Sequence, residues 1–137
     1  MGFNDGFDVP MRLSPSDAYS AWSINILQVP GVNRAFGLRI PIDGLKVIGV
    51  HVAATAVGAS ALGTYLLDVE KNGATILTAQ FNLESLVANT WSALSLKTDN
   101  TVNLSAGDGL LIRAISSNVD LTGFTSGVDV TVMLGSQ

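Results

Sequence analysis

Thr64-Tyr-Leu-Leu-Asp-Val-Glu-Lys-Asn-Gly-Ala-Thr-Ile-Leu-Thr-Ala-Gln-Phe81 is the stretch that decides the fold class. Tyr65, Leu67 and Val69 alternate with Thr64, Asp68 and Glu70, the period-two pattern of a strand with one buried face. Asn72-Gly73 then supplies two residues that tolerate positive φ, as a tight type I′ turn requires. Ala74 to Phe81 is expected to return as the partner strand. A hairpin at the centre of the chain sets the period to look for on either side.

Upstream, Trp22, Ile24 and Ile26 alternate with Ser23 and Asn25. Leu38, Ile40 and Ile42 alternate with Arg39, Pro41 and Asp43, and Pro41, which has no N–H to give a ladder, points to an edge strand. Lys46 to Val57 reads as a longer strand with Ile48, Val50, Val52 and Ala54 on one face, followed by a small-residue loop, Gly58 to Gly63. Downstream, Glu84 to Asn89 reads as a short helical turn or a crossing loop. Trp91 to Lys97 and Thr101 to Leu104 read as short strands around the turn residues Asp99 and Asn100. After the turn Ala106-Gly107-Asp108-Gly109, Leu110 to Ile115 is almost continuously apolar, as a strand buried on both faces would be. The closing strand places Val128, Val130, Val132 and Leu134 inward, with Asp129 and Thr131 outward. About eight short strands without a long amphipathic helix predict an all-β, jelly-roll-like sandwich of antiparallel strands over residues 19–137. Strand count alone does not separate it from an immunoglobulin-like topology.

Residues 1–18 read as an extended N-terminal arm, broken by Gly2, Gly6, Pro10 and Pro15. Such a terminus is either disordered or docked. If it docks, Phe3, Phe7, Val9 and Met11 are the candidate assembly contacts. The segment lacks the basic-then-apolar order of a signal peptide.

Composition narrows the function. Of the 137 residues 47% are hydrophobic and only 13% charged, against roughly 25% charged in ordinary globular domains. That shortfall is expected where neighbouring subunits cover part of the surface. A net charge of −4, with the seven basic residues scattered, excludes nucleic acid as a partner, since phosphate neutralisation needs clustered Lys and Arg. Val47 to Leu67 contains no Asp, Glu, Lys or Arg, long enough for a membrane span. Its Gly, Thr, Ser and Val content, with His51, reads instead as a strand and a loop. There is no cysteine, so disulfides and thiolate metal sites are excluded.

The chain is poor in catalytic chemistry. His51 is the single histidine, read as a sheet-face or subunit-contact residue. Gly58-Ala59-Ser60-Ala61-Leu62 fails the nucleophile elbow at Leu62, where glycine is required. Asp68 and Glu70 share a strand face as a carboxylate pair and are read as a solvated hairpin rim. Asp99, Asn100 and Asn103 lack the order of a calcium loop and read as a turn. Trp22 and Trp91 offer surfaces for sugar stacking, but read as core or interface anchors. No enzyme, cofactor, metal or small-molecule substrate is expected, and a metal-dependent cupin-like enzyme would need more histidines.

Three segments carry a family likeness: Gly63-Thr-Tyr-Leu-Leu-Asp-Val-Glu-Lys-Asn-Gly-Ala-Thr-Ile-Leu77, Leu104-Ser-Ala-Gly-Asp-Gly-Leu-Leu-Ile-Arg113, and Gly127-Val-Asp-Val-Thr-Val-Met-Leu134. From about Leu45 onward the chain resembles the small jelly-roll proteins of tailed-bacteriophage particles, and its hairpin and closing strand look like trimeric C1q- and tumour-necrosis-factor-like modules. The resemblance implies a capsid decoration (cement) protein, a homotrimer that binds the major capsid protein on the virion surface. The competing expectation is a tail-fibre or receptor-binding tip that holds a host glycan or protein.

Overall fold

The computed structural model describes residues 19–26, 34–58, 64–117 and 125–137. The arm, with Phe3, Phe7, Val9 and Met11, lies outside the described residues, as do positions 59–63. The described residues form ten strands: β1 Tyr19–Ile26, β2 Arg34–Arg39, β3 Leu45–Ala56, β4 Thr64–Lys71, β5 Ala74–Thr75, β6 Phe81–Asn82, β7 Ser92–Ala93, β8 Asn103–Leu104, β9 Gly109–Ser117 and β10 Ser126–Ser136. Two short 3₁₀ turns, Leu83–Ser85 and Asn100–Val102, are the helical content of the described residues. The protein is all-β.

The strands form two antiparallel sheets. Sheet A is ordered β1-β10-β3-β7, with β8 also paired to β3; sheet B is ordered β2-β9-β4-β5, with β6 also paired to β4. Successive strands β1 to β4 alternate between the sheets. The pairing is nested: β1 with β10, β2 with β9, β3 with β7 and β8, β4 with β5 and β6. In an immunoglobulin-like sandwich the first two strands pair with each other; here they lie in opposite sheets.

Alternation explains the core between the sheets. Tyr65, Leu67 and Val69 of β4 meet Leu110, Ile112 and Ala114 of β9, Val50, Val52 and Ala54 of β3, and Val128, Val130 and Val132 of β10, all essentially inaccessible to water. Each such side chain contributes about 1.5–3 kcal/mol by leaving water. Asn72 at φ 51° and Gly73 at φ 88° make the expected tight turn, pairing Lys71 with Ala74.

Several expected elements change on folding. The returning strand of the hairpin is not continuous: β5 stops at Thr75, the Ile76 N–H still donates to the Val69 carbonyl of β4 (2.9 Å), and the chain then crosses toward sheet A at Leu77. Leu77 bridges Leu96, with the Thr78 N–H donating to the Ser95 carbonyl (3.0 Å) and the Lys97 N–H to the Ile76 carbonyl (2.9 Å). The crossing ties the two sheets together at one margin, which protects edges that would otherwise be open. It also accounts for β7 being a two-residue strand rather than the longer one expected, and the 3₁₀ turn Asn100–Val102 takes up the start of the strand expected to end at Leu104.

On β3, Val47 and Val50 are both buried while Ile48 is 45% exposed. Met133 faces Gly49 and the next residue, Leu134, faces Val47, so Ile48 is the extra residue of a β-bulge. The bulge moves Ile48 off the expected inward face and puts Val47 on it. β2 is an edge strand as anticipated, but it ends at Arg39; Pro41 lies in the following bend and Ile42 is 56% exposed. β9 is central in sheet B, yet buried fully on one face only, since Leu111, Arg113 and Ile115 are half-buried outside.

Candidate functional site

His51 lies on the outer face of sheet A, half-buried, opposite Thr131 on one side and Ala93 on the other. A Cβ added to Gly49 would stand 3.4 Å from His51 Nε2 and 3.5 Å from Met133 Sδ, so both side chains lie over this glycine. The placement is the sheet-face position expected.

Asp68 and Glu70 overturn their reading as a solvated rim. Their exposures are 2% and 9%. Both point to the outer face of sheet B, where Asp68 is opposite Arg113. Thr75 Oγ1 donates to Asp68 Oδ1 (2.5 Å) and Gln80 Nε2 approaches Oδ2 at 3.5 Å. Glu70 Oε1 is 3.7 Å from Arg113 Nη1. Loss of solvent raises the Glu70 carboxyl above its ordinary value, Arg113 draws it down, and the hydrogen bond and charge of Asp68 raise it further. The strand pattern alone placed these carboxylates on an outward face, correctly. It did not show that the segment after the Asn72-Gly73 turn closes over them.

Two further acidic residues, Asp99 and Asp108, stitch turns. Asp99 Oδ1 accepts from the Thr101 N–H (2.9 Å) and Thr101 Oγ1 (2.5 Å), which holds its carboxyl below the usual range. Asn100 and Asn103 contact one another through their amides (3.4 Å). Asp108 accepts from the Ser105 N–H (2.8 Å) and from Asn72 Nδ2 (2.9 Å), and is likewise lowered. Among the described residues no three His, Asp or Glu side chains are grouped as metal ligands, and no helix is long and apolar enough to cross a membrane.

The outer face of sheet A has the character of an interaction surface. Its cross-strand rows are Ala21–Met133–Gly49, then Ser23–Thr131–His51–Ala93, then Asn25–Asp129–Ala53. Asp129 is the one charge in these rows, and Lys46 borders them opposite Gly135. Ser23 and Thr131 share a hydrogen bond at 2.9 Å, and Asn25 Nδ2 donates to Asp129 Oδ1 at 2.8 Å. Ile48 packs over Gly135, where an added Cβ would meet it at 3.0 Å. At the far end stands Trp91, 53% exposed, beside Thr55, Asn89 and Asp129. Sheet B's outer face carries Arg39, Arg113, Asp68 and Glu70 instead. The sequence gives the alternation that makes each row outward; which strands lie side by side follows from the nested pairing, and no local signal shows it. The sequence matches no protein-family model and no curated protein.

Proposed function

We propose that this chain is a non-catalytic structural protein that decorates a viral shell: a capsid decoration (cement) protein, trimeric, with a jelly-roll sandwich. The observation that carries the assembly part of the reading is the outer face of sheet A. Ala21, Ala53, Ala93, Gly49, Thr131 and Met133 form a nearly uncharged, low-relief surface in a chain already short of charge. A flat face of small side chains lets another sheet approach closely, and its burial costs little side-chain entropy. The nested strand order supports the jelly-roll description, because it is the order obtained by rolling up one long antiparallel hairpin. The shell itself, the phage particle and the major capsid protein as partner rest on the resemblance of the hairpin and closing strand described above.

Physically, such a protein acts by adding interface area at many equivalent positions. Apolar burial at about 25 cal/mol per Å2, less the cost of ordering, reinforces a shell without any reaction. Copy number tests the reading. Quantitative mass spectrometry of purified particles from the source is expected to find this chain in amounts comparable to the major shell subunit. A handful of copies per particle would move it to a fibre or tail tip, and its absence from particles would end the viral reading. Light scattering is expected to give a trimer mass for the intact chain and a lower mass for Ala21→Arg, which puts a charge into the uncharged row. A monomeric intact chain at micromolar concentration would refute the trimer.

A further inference from the structure

The Trp91 end of sheet A has a different composition from the uncharged rows, and it forms a concave site. A groove of about 200 Å3 is lined by Ala53, Thr55, Asn89, Trp91, Gly127 and Asp129. That is below the roughly 300–1,000 Å3 typical of sites for drug-sized ligands, and suits a single ring. Ala53 gives it a low floor, and the Thr55 side chain lies across Gly127. Trp91, 53% exposed, leaves an indole beside that floor.

The polar groups around the groove are held in place. Asp129 Oδ1 is fixed by Asn25 Nδ2 at 2.8 Å, and Oδ2 has no hydrogen-bond partner among the described residues. Thr55 Oγ1 donates to the Ser126 carbonyl (3.2 Å), which leaves the oxygen to act as an acceptor. Asn89 is kept at φ 59°, an uncommon backbone conformation for a residue with a side chain, by its N–H bond to the Ala54 carbonyl at 2.7 Å. A carboxylate, an amide and a hydroxyl therefore converge beside one aromatic ring.

We propose that this groove binds a pyranose sugar. A pyranose presents an apolar C–H face, which suits the π-face of an indole, and a rim of vicinal hydroxyls, which suits a carboxylate oxygen and a neighbouring amide. The carboxylate of Asp129 disfavours anions such as phosphate. A quaternary ammonium ligand would use the indole and the carboxylate but leave the amide and hydroxyl without a role, and such cations favour cages of several aromatics. The groove shares Ala53 with the face assigned to assembly and lies at the opposite end of the sheet from Met133 and Gly49; sugar binding is read by titration and assembly by mass, so the two readings are tested separately.

The test is a titration followed by the Trp91 indole N–H signal in 1H–15N spectra of the intact protein. The probes are methyl β-glucoside, methyl β-galactoside, methyl N-acetyl-β-glucosaminide and choline. A saturable shift with at least one glycoside at millimolar concentration is expected. In Asp129→Ala the affinity should fall by about tenfold, the loss of one charge-assisted hydrogen bond. In Trp91→Ala the accompanying shifts of the Ala53 and Gly127 amides should vanish while the urea midpoint stays the same. No shift with any glycoside, a response to choline alone, or glycoside shifts that survive Trp91→Ala would each overturn the assignment.

Discussion

Replacing Gly127 with Ala tests the close contact between β3 and β10. Gly127 sits at φ 64°, where an L-residue other than glycine costs about 1–2 kcal/mol. The new methyl would also press on Thr55, against Cβ at 3.0 Å and Cγ2 at 3.1 Å and closest of all against Oγ1. Overpacking of this kind costs about 1–3 kcal/mol. The sum, about 2–5 kcal/mol, is a large part of the roughly 5–15 kcal/mol that holds a domain together. Urea unfolding at fixed protein concentration should show a lower midpoint with an unchanged slope. The two components separate in a Thr55→Gly background, which removes the opposing side chain. There the Gly127→Ala cost should shrink to the backbone part, about 1–2 kcal/mol. Equal costs in both backgrounds would refute the packing argument, and a change within about 0.5 kcal/mol in the native background would refute the backbone argument as well.

Three further outcomes are expected. Asn72→Val with Gly73→Val forces β-branched residues into two positive-φ positions and removes the Asn72 bonds to Asp108 and to the Gly109 N–H (2.9 Å each); a loss of about 3–5 kcal/mol by urea unfolding is expected. Glu70→Gln should alter the pH profile of stability. Because the folded state raises this carboxyl above 4.5, its contribution is complete below that value and is lost as pH rises through the folded pKa. The native protein should therefore weaken relative to Glu70→Gln over that interval, and parallel profiles would contradict the assignment. Asp108 has the opposite sign: its carboxyl is lowered from 3.8, so its contribution is present above that value and lost as pH falls. Asp108→Asn should flatten the acid-side decline in thermal melts, and an unchanged decline would count against it.

The parts of the fold legible in the sequence are those governed by neighbours along the chain. Asn72-Gly73 announces its turn because positive φ is a local demand, and Val128, Val130, Val132 and Leu134 announce their face because the pleat has a fixed period. Ile48 misleads because its bulge exists only relative to Met133 and Leu134, residues more than eighty positions away. The Leu110 to Ile115 run misleads in another way: continuous apolarity does not distinguish a strand covered on both faces from one whose outer face is merely half-buried. Asp68 and Glu70 keep the outward face that alternation assigns, but their burial comes from Thr75 and Gln80, which the hairpin folds against them, and from Arg113 on the neighbouring β9. Trp91 stands beside Asp129, far from it along the chain, so no local pattern joins the two.

The nested strand order also governs when the protein can fold. β10 is the strand between β1 and β3, and among the described strands β1 pairs with β10 alone. Contacts such as Asn25 to Val128 span 103 positions, so β1 waits for β10 to be made before this ladder forms. Sheet B waits almost as long, because β2 needs β9. Until then the growing chain carries unpaired apolar strand edges, the condition under which chains aggregate. Closure by β10 joins β1 to β3 in one late step, so translation stalled before Ser126 leaves β1 apart from a sheet A made of β3, β7 and β8.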